Sequence, residues 1–448
     1  MDNLPKIHIG QKPTYIKVAQ DVDFFALFQK IEREFENCFI FESLGEGGHL
    51  SRYSLIGFDP KHILSTDGKH FVLDGKAFNV DNPYYALREV VPQNAISRNY
   101  AGGLIGYISY EAVNLFEPSL SVKASKHFEL FKFGAYLDGI VFDKVTNELY
   151  YFYYDKNRLE LIKKIMRKTL QKATITTKFI RDTLSRKEHA AIVERVKEEI
   201  RTGNTFQCEV GFKSEFEIVG DRLGIYKKLR KVNPSPFMYY LKFGQQIIIG
   251  ASPELLFRLK DGDMETFPLA GTIKRGKNKE EDAKFARDLL NDPKEIAEHN
   301  MLVDMARNDL GRVAKFATVK VRSLMDIKKF SHVQHISSEI TGIIRDDEDM
   351  FSGLAANFPM GTGSGTPKIE TIKIIARNEP TARGPYSGAI GHFGFNGDCT
   401  FALPLRSLFI SGSYAYAQTS SGIVYDSIAS REYDEVERKL AAMKEVLK

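Results

Sequence analysis

Short β-rich runs, each closed by a glycine- or aspartate-containing turn, fill the first third of this 448-residue chain and limit its fold more than any other feature. RYSLIGF (52–58), KHFVL (69–73), GGLIGYISY (102–110) and ELYYFYYD (148–155) are the clearest. Asp-Gly and Gly-Gly steps punctuate them, as hairpin-rich sheets require. The length allows about three domains or one large fused body.

Residues 156–184 read differently. RLELIKKIMRKTLQKA (158–173) predicts a basic amphipathic helix, and TITTKFIRDTLS (174–185) a connector. A boundary there divides an N-terminal segment, 1–170, from a second segment, 185–448. Ser185 and Glu188 form an S-x-x-E capping box, Ile192, Val193, Val196 and Ile200 follow at helical spacing, and Gly203 ends the helix. In TFQCEVGFKSEFEI (205–218), Phe206, Cys208, Val210 and Phe212 share one strand face, while Gln207, Glu209 and Lys213 share the other. One face can pack a core while the other points into a cleft. A second helix starts with Asp292 as cap, Pro293 at the first position and Glu295 completing a box, and runs to about Arg307. A third closes the chain, with Ser430 as cap and Tyr433, Val436, Leu440 and Met443 as its apolar stripe.

The chain is 43% apolar and 27% charged, an ordinary globular balance. Net charge is +5, too mild to suggest a nucleic-acid partner. Cys38, Cys208 and Cys399 lie far apart with no CxxC, which argues against a zinc site or disulfide framework. No apolar run reaches the roughly 20 residues of a membrane span. A soluble, cytoplasmic protein is expected.

Three constellations have chemical potential. Glu295 with Glu298, and Glu432 with Glu435, are i,i+3 pairs near helix starts, so each pair shares a face. Four carboxylates from two helices can cradle Mg²⁺, although acids favour helix N-termini in any case. GTGSGTPK (361–368) offers alternate glycines that can aim backbone N–H groups at an anion, or form a plain turn. SHVQHIS (331–337) carries His332 and His335, and Arg383, Arg406 and Lys368 are cations able to fix a carboxylate or simply to face solvent. Together these suit an anionic, oxygen-rich small molecule; the residues alone do not name a reaction.

From Thr205 onward the sequence resembles the chorismate-utilising enzymes, and within them the anthranilate synthase large subunit. The matching stretches include TFQCEV (205–210), NPSPFMYYL (233–241), IIGASPELLFR (248–258), FPLAGTIKRG (267–276), DPKEIAEHNMLVDMARNDLGRV (292–313), SHVQHISSEITG (331–342), FPMGTGSGTPK (358–368), ARGPYSGAIGHFG (382–394), LRS (405–407), SSGIVYDS (420–427) and REYDEVERK (431–439). IFES (40–43), RYSLIGFDP (52–60) and GGLIGYISYEA (102–112) match in the first half. The resemblance implies an α+β fold of two large, mostly antiparallel sheets packed as a sandwich with flanking helices. Residues 185–448 would be the chorismate-binding catalytic domain and 1–170 a regulatory and structural segment.

It further implies Mg²⁺ on Glu298 and Glu435, with Glu295 and Glu432 behind them. Tyr386 and Arg406 would grip the enolpyruvyl carboxylate. Gly271, Thr272 and a turn at Ser420, Ser421 and Gly422 would supply further donors. His335 would assist departure of the 4-hydroxyl or a later proton transfer, Glu254 would be a general acid of raised pKa, and Thr362 would line the pocket. Water-using relatives carry lysine at Gln207, so glutamine favours ammonia as nucleophile. Ala270 in PLAGT removes the lysine on which aminodeoxychorismate synthases form an adduct. Chorismate and ammonia would give anthranilate and pyruvate. A glutamine amidotransferase subunit would deliver the ammonia, because this chain has no amidotransferase pattern of its own. Ser43, with Pro236, Phe237 and Met238, matches the family's tryptophan site and implies feedback inhibition. LPLRS replaces the usual AIRT, so Pro404 requires an edge or bulged strand near Arg406. TSSG replaces AGAG, placing Ser420 and Ser421 where the family has small residues. A sister enzyme, an anion-binding module on GTGSGTPK and a regulatory subunit without catalysis are the competing readings.

Overall fold

The computed structural model describes residues 3–18, 22–44, 52–97, 100–170, 173–330 and 333–448. Among them the β-rich runs assemble into two twelve-stranded antiparallel sheets. The first runs Thr14–Val18, Glu148–Tyr153, Asp138–Asp143, Tyr53–Phe58, Asn37–Glu42, Phe237–Phe243, Gln246–Ser252, Ser407–Ser411, Tyr414–Ile423, Gln207–Gly220, Ile175–Asp182. The second runs Leu269–Lys274, Val333–Ile343, Asp263–Thr266, Leu255–Lys260, Cys399–Ala402, Ala389–Gly394, Gly103–Ile108, Phe131–Tyr136, His62–Thr66, His70–Leu73, Lys76–Asn79. Lys320–Lys329 pairs with Val333–Ile343 outside this path, and the short Gly365–Thr366 with the start of Gln207–Gly220.

Alternation decides what each face buries. Phe39, Tyr107, Tyr136, Tyr239, Phe409 and Tyr416 come from both sheets and fill the layer between them. Outside the first sheet pack helices Phe24–Glu34, Arg186–Arg201, Leu223–Val232 and Ala429–Leu447. Outside the second pack Pro293–Gly311 and Met350–Asn357. The expected α+β sandwich is what forms. Both segments of the chain supply strands to both sheets: Glu42 pairs with Met238 in the first, and Ile108 with Ala389 in the second.

Local expectations hold unevenly. The Ser185–Glu188 capping box is complete. Asp292 accepts the Lys294 and Glu295 N–H groups behind Pro293, and the helix runs on to Gly311. Glu295 does not reach back to close a box; its Oε2 lies beside Gly271 instead. The last helix starts at Ala429, and Ser430 is already inside it. The basic helix is shorter than its pattern, Leu159–Met166. The expected connector is largely a strand, Ile175–Asp182, drawn into the sheet by the long strand Gln207–Gly220 and by Phe179 packing on Phe216.

Two sharp links carry the chain between sheets. Ser252–Glu254 leads from the first sheet to the second, and Leu403–Arg406 leads back. They brace each other: Leu403 N–H donates to Glu254 O (3.1 Å), and the Ser252 hydroxyl donates to Leu403 O (2.5 Å). The expected bulged strand around Pro404 is therefore a crossover. Arg406 emerges at φ 47°, a left-handed conformation costly for a residue with a Cβ, and its carbonyl is held by Ala251 N–H at 3.3 Å.

Candidate active site

The crossovers deliver two of the site residues. Glu254 is fully buried, and its Oε1 accepts the Thr362 hydroxyl (2.5 Å) and Leu269 N–H (3.1 Å). Burial raises its carboxyl to about 8, against the pull of those two donors. Arg406, from the other crossover, places Nη2 3.4 Å from His335 Nε2. His335 Nδ1 lies 2.9 Å from Gly271 O and 3.1 Å from the Thr272 hydroxyl. A carbonyl only accepts, so Nδ1 carries the hydrogen and Nε2 is the basic nitrogen. Burial, reinforced by the Arg406 charge, lowers this histidine to about 4, so it is neutral. The bulge between Ala270 and Thr272, with Gly271 at φ 62°, turns the Gly271 carbonyl toward the ring. His332 lies outside the described residues.

Across from this wall stand the acids. Cys208, Val210 and Phe212 bury one face of Gln207–Gly220 in the helix-side core, which turns Gln207 and Glu209 toward the cleft. Gln207 Nε2 donates to Glu298 Oε1 at 2.9 Å, and Gln207 Oε1 is buried without a partner. Glu298 is raised to about 7 by burial, then by the charges of Glu209 and Glu295. Burial also raises Glu209, with Glu435 adding to it, and Glu295, again with Glu435 adding. Each of these acids thus makes another's charge harder to bear. Ser420 donates to Glu209 Oε2 (2.5 Å), and its hydroxyl is 2.9 Å from the Tyr386 hydroxyl. Lys439 Nζ donates to Ser420 O at 2.8 Å and pairs with Glu435 at 2.8 Å. Glu432 is buried one turn before Glu435.

Several candidates fall elsewhere. Ser420–Gly422 is part of the strand Tyr414–Ile423, not a turn. Ser421 pairs with Val210 and so shares its core-side face; its hydroxyl is buried without a partner, away from Glu209. Gly422 lies opposite Glu209, where a Cβ would come within 2.5 Å of Gln207 Nε2 and 2.8 Å of Glu209 Oε1, so a larger residue would push both side chains aside. In the glycine loop, the Gly363 and Ser364 N–H groups are spent on Met360 O and Gly361 O and are not open to an anion. The loop's contribution is the Thr362 hydroxyl. Lys368 is paired with Asp309 (2.7 Å), and Arg383 with Glu379 (2.7 Å). Sequence reasoning missed roles for Glu209 and Lys439. Strand alternation with Gln207 signals the first, and i,i+4 spacing from Glu435 the second.

Ser43, Pro236, Phe237 and Met238 do not join the cleft. All four line a separate cavity of about 170 Å³, with Arg52, Tyr53, Tyr100, His392, Asn396 and Asp398. Two buried hydroxyls there, on Ser43 and Tyr100, have no hydrogen-bond partner.

The donor set of the cleft fits a hard divalent cation. Carboxylate oxygens are what Mg²⁺ prefers, and clustered acids with raised pKa values are relieved by a cation. No three His, Cys, Asp or Glu side chains among the described residues form a closed cage.

Residues 36–445 match the chorismate binding enzyme family. The chain is 50% identical to anthranilate synthase component 1 of Leptospira biflexa, over 99% of this chain and 98% of that one. It is 41% identical to the Methanothermobacter thermautotrophicus component 1, over 95% and 93%. The crystal structure of anthranilate synthase component I from Streptococcus pneumoniae superposes with TM-score 0.78 at 31% identity, covering 89% of this chain and 93% of that one. The menaquinone-specific isochorismate synthase of Escherichia coli has the same fold, at TM-score 0.77 and 18% identity, with 100% and 96% covered. With the family match across nearly its whole length, relatives this similar and a cleft of this geometry, the chain belongs to the chorismate binding enzymes.

Proposed function

We propose that the protein converts chorismate and ammonia to anthranilate and pyruvate, with Mg²⁺, as the first committed step toward tryptophan, and that tryptophan inhibits it. The observation that carries this reading is the pairing of Gln207 with Glu298, in a cleft where the charge of Glu209 bears on both Glu298 and the buried acid Glu254. A glutamine cannot act as the base that activates water, so the nucleophile must arrive already reactive, as ammonia does. Ala270, in turn, offers no amine for a covalent detour.

Glu298 and Glu435 would hold Mg²⁺, with Glu295 and Glu432 behind them, and Glu209 adds a fifth carboxylate. Bound there, Mg²⁺ would neutralise and polarise the ring carboxylate. Tyr386 and Arg406 would bind the enolpyruvyl carboxylate, and the Thr272 hydroxyl and the backbone at Gly271 and Gly422 would orient the ring. Glu254 accepts twice on Oε1, which leaves Oε2 for its proton. That proton goes to the 4-hydroxyl, which leaves as water while nitrogen bonds to C2 and the ring double bonds shift; the surplus proton of the new C2 ammonium is then released, which balances the one Glu254 gave up. His335 is neutral with Nε2 basic, so it suits the second step, taking the C2 proton. The C3–O bond then breaks, enolpyruvate gains a proton to become pyruvate, and the ring becomes aromatic. Fixed charges and geometry do most of the work.

The names of the relatives, component 1, support a partner subunit, and a glutamine amidotransferase would supply ammonia from glutamine. Tryptophan would occupy the 170 Å³ cavity, its amino and carboxylate groups satisfying the orphan hydroxyls of Ser43 and Tyr100. To inhibit, it must favour a less active arrangement.

The test is purified protein with chorismate, Mg²⁺ and concentrated ammonium salt, read by anthranilate fluorescence. Anthranilate that disappears with EDTA is expected. Chorismate consumed without anthranilate would mean a sister reaction. No consumption would sink the reading.

A further inference from the structure

The residues that wall the cleft are themselves held by a buried cation that the chemistry above does not use. Arg383 forks onto Glu379, Nε to Oε2 at 2.8 Å and Nη2 to Oε1 at 2.7 Å. Two more of its donors reach backbone carbonyls, Gly363 O (2.6 Å) and Glu209 O (2.8 Å). The first belongs to the loop that presents Thr362, and the second to the acid bonded to Ser420. Three residues on, Tyr386 meets Ser420, so one short segment grips Glu209 by its backbone and, through Ser420, by its carboxylate.

The seat of Arg383 comes from the other end of the chain. The guanidinium lies 4.6 Å over the Tyr110 ring. Tyr110 N–H donates to Gly384 O (2.8 Å), and Gly384 N–H to Glu111 Oε1 (3.0 Å). Glu111 is fully buried, and its Oε2 has no hydrogen-bond partner. A carboxyl with an orphan oxygen is costly to keep in a core. Its placement beside Arg383–Gly384 gives a reason to keep it.

We propose that Arg383 is a positioning residue for the reaction, fixing Glu209 and the Thr362 loop relative to each other, and that Tyr110 and Glu111 hold it in place. This rests on the amination reading. Residues 1–170 then contribute to turnover as well as to regulation.

The test compares wild type, Arg383→Ala, Glu111→Ala and Glu111→Gln for steady-state anthranilate formation, with thermal melting of each. Arg383→Ala is expected to lower kcat about 100-fold, the scale of a misplaced catalytic group, with KM for chorismate within about threefold. Millimolar guanidinium ion should restore about tenfold of that loss, and methylammonium should not, because only the planar ion can fork onto Glu379 and both carbonyls. Glu111→Ala should lose about tenfold in kcat, and Glu111→Gln, which keeps an acceptor for Gly384 N–H, should recover most of it. If Arg383→Ala does not fold, the Glu111 pair decides. A kcat within about twofold of wild type in a folded alanine variant overturns the proposal. So does a loss that guanidinium leaves untouched in folded Arg383→Ala, or a Glu111→Gln variant as slow as Glu111→Ala. A wild type that makes no anthranilate fails at the amination reading itself, before any variant is compared.

Discussion

The acid cleft and the hydroxyl-bearing cavity are built on opposite principles. In the cleft, burial raises Glu209, Glu295 and Glu298, neighbouring carboxylates add to it (Glu435 on Glu209, Asp292 and Glu435 on Glu295, Glu209 and Glu295 on Glu298), and the Gln207 bond to Glu298 does not undo the shift. In the cavity the cost is empty space and two orphan hydroxyls, Ser43 and Tyr100. One region is poised by charge and the other by shape. Substitutions should therefore hurt the first through electrostatics and the second through volume.

The largest effect should come from removing charge in the cleft. On the proposed Mg²⁺ reading, Glu298→Gln or Glu435→Gln is expected to lower turnover at least ~10³-fold while circular dichroism stays native, since metal neutralisation of the substrate would supply several kcal/mol of the barrier reduction. Near-normal rates would remove both residues as ligands. Next, Glu254→Gln should cost about 10²–10³-fold, the scale of a lost general acid. As the proposed acid, Glu254 would have to carry its proton, so the wild-type kcat should fall as pH rises through about 8, and the variant's residual rate should lack that limb. The same raised carboxyl means the native state binds a proton that the unfolded state has released, so stability falls as pH climbs from about 4.5 toward about 8. A pH–kcat profile and pH-dependent melting test both signs.

In the cavity the effects should be smaller and of a different kind. Ser43→Phe fills the space, and the concentration of tryptophan for half inhibition should rise at least about tenfold while the enzyme still turns over chorismate. Unchanged inhibition would move the regulatory site elsewhere. Smallest of all, Tyr100→Phe removes an unsatisfied buried hydroxyl and should raise stability by about 1 kcal/mol in ligand-free protein, read by denaturant unfolding. A loss of stability instead would mean that the hydroxyl is not an orphan.

How far the sequence could be read follows the same division. Periodic signals were legible: the Ser185 cap, the Asp292–Pro293 helix start and the two faces of Gln207–Gly220 all depend on residues near in sequence. The family motifs, quoted residue by residue, marked the Glu298, Glu254 and His335 neighbourhood and the four cavity residues. What could not be read depends on partners far away. TITTKFIRDTLS becomes a strand only because Gln207–Gly220 extends far enough to pair with it. Ser421 turns from the site because its register partner is Val210. In the glycine loop, Gly363 and Ser364 spend their N–H groups on the Met360 and Gly361 carbonyls, which spacing cannot reveal. Pro404 did signal an irregularity, but only the two sheets together make it a crossover.

That both segments of the chain supply strands to both sheets has a consequence for synthesis. A ribosome that has released residues 1–170 has made two incomplete half-sheets, one ending at Asn37–Glu42 and the other at Gly103–Ile108, each with its next neighbour still untranslated. Those two raw edges are templates for any passing strand. They stay uncovered until Phe237–Phe243 and then Ala389–Gly394 emerge, so the nascent chain is most exposed to mispairing across the long middle stretch of translation, and a chaperone that shields strand edges would serve it best in that interval.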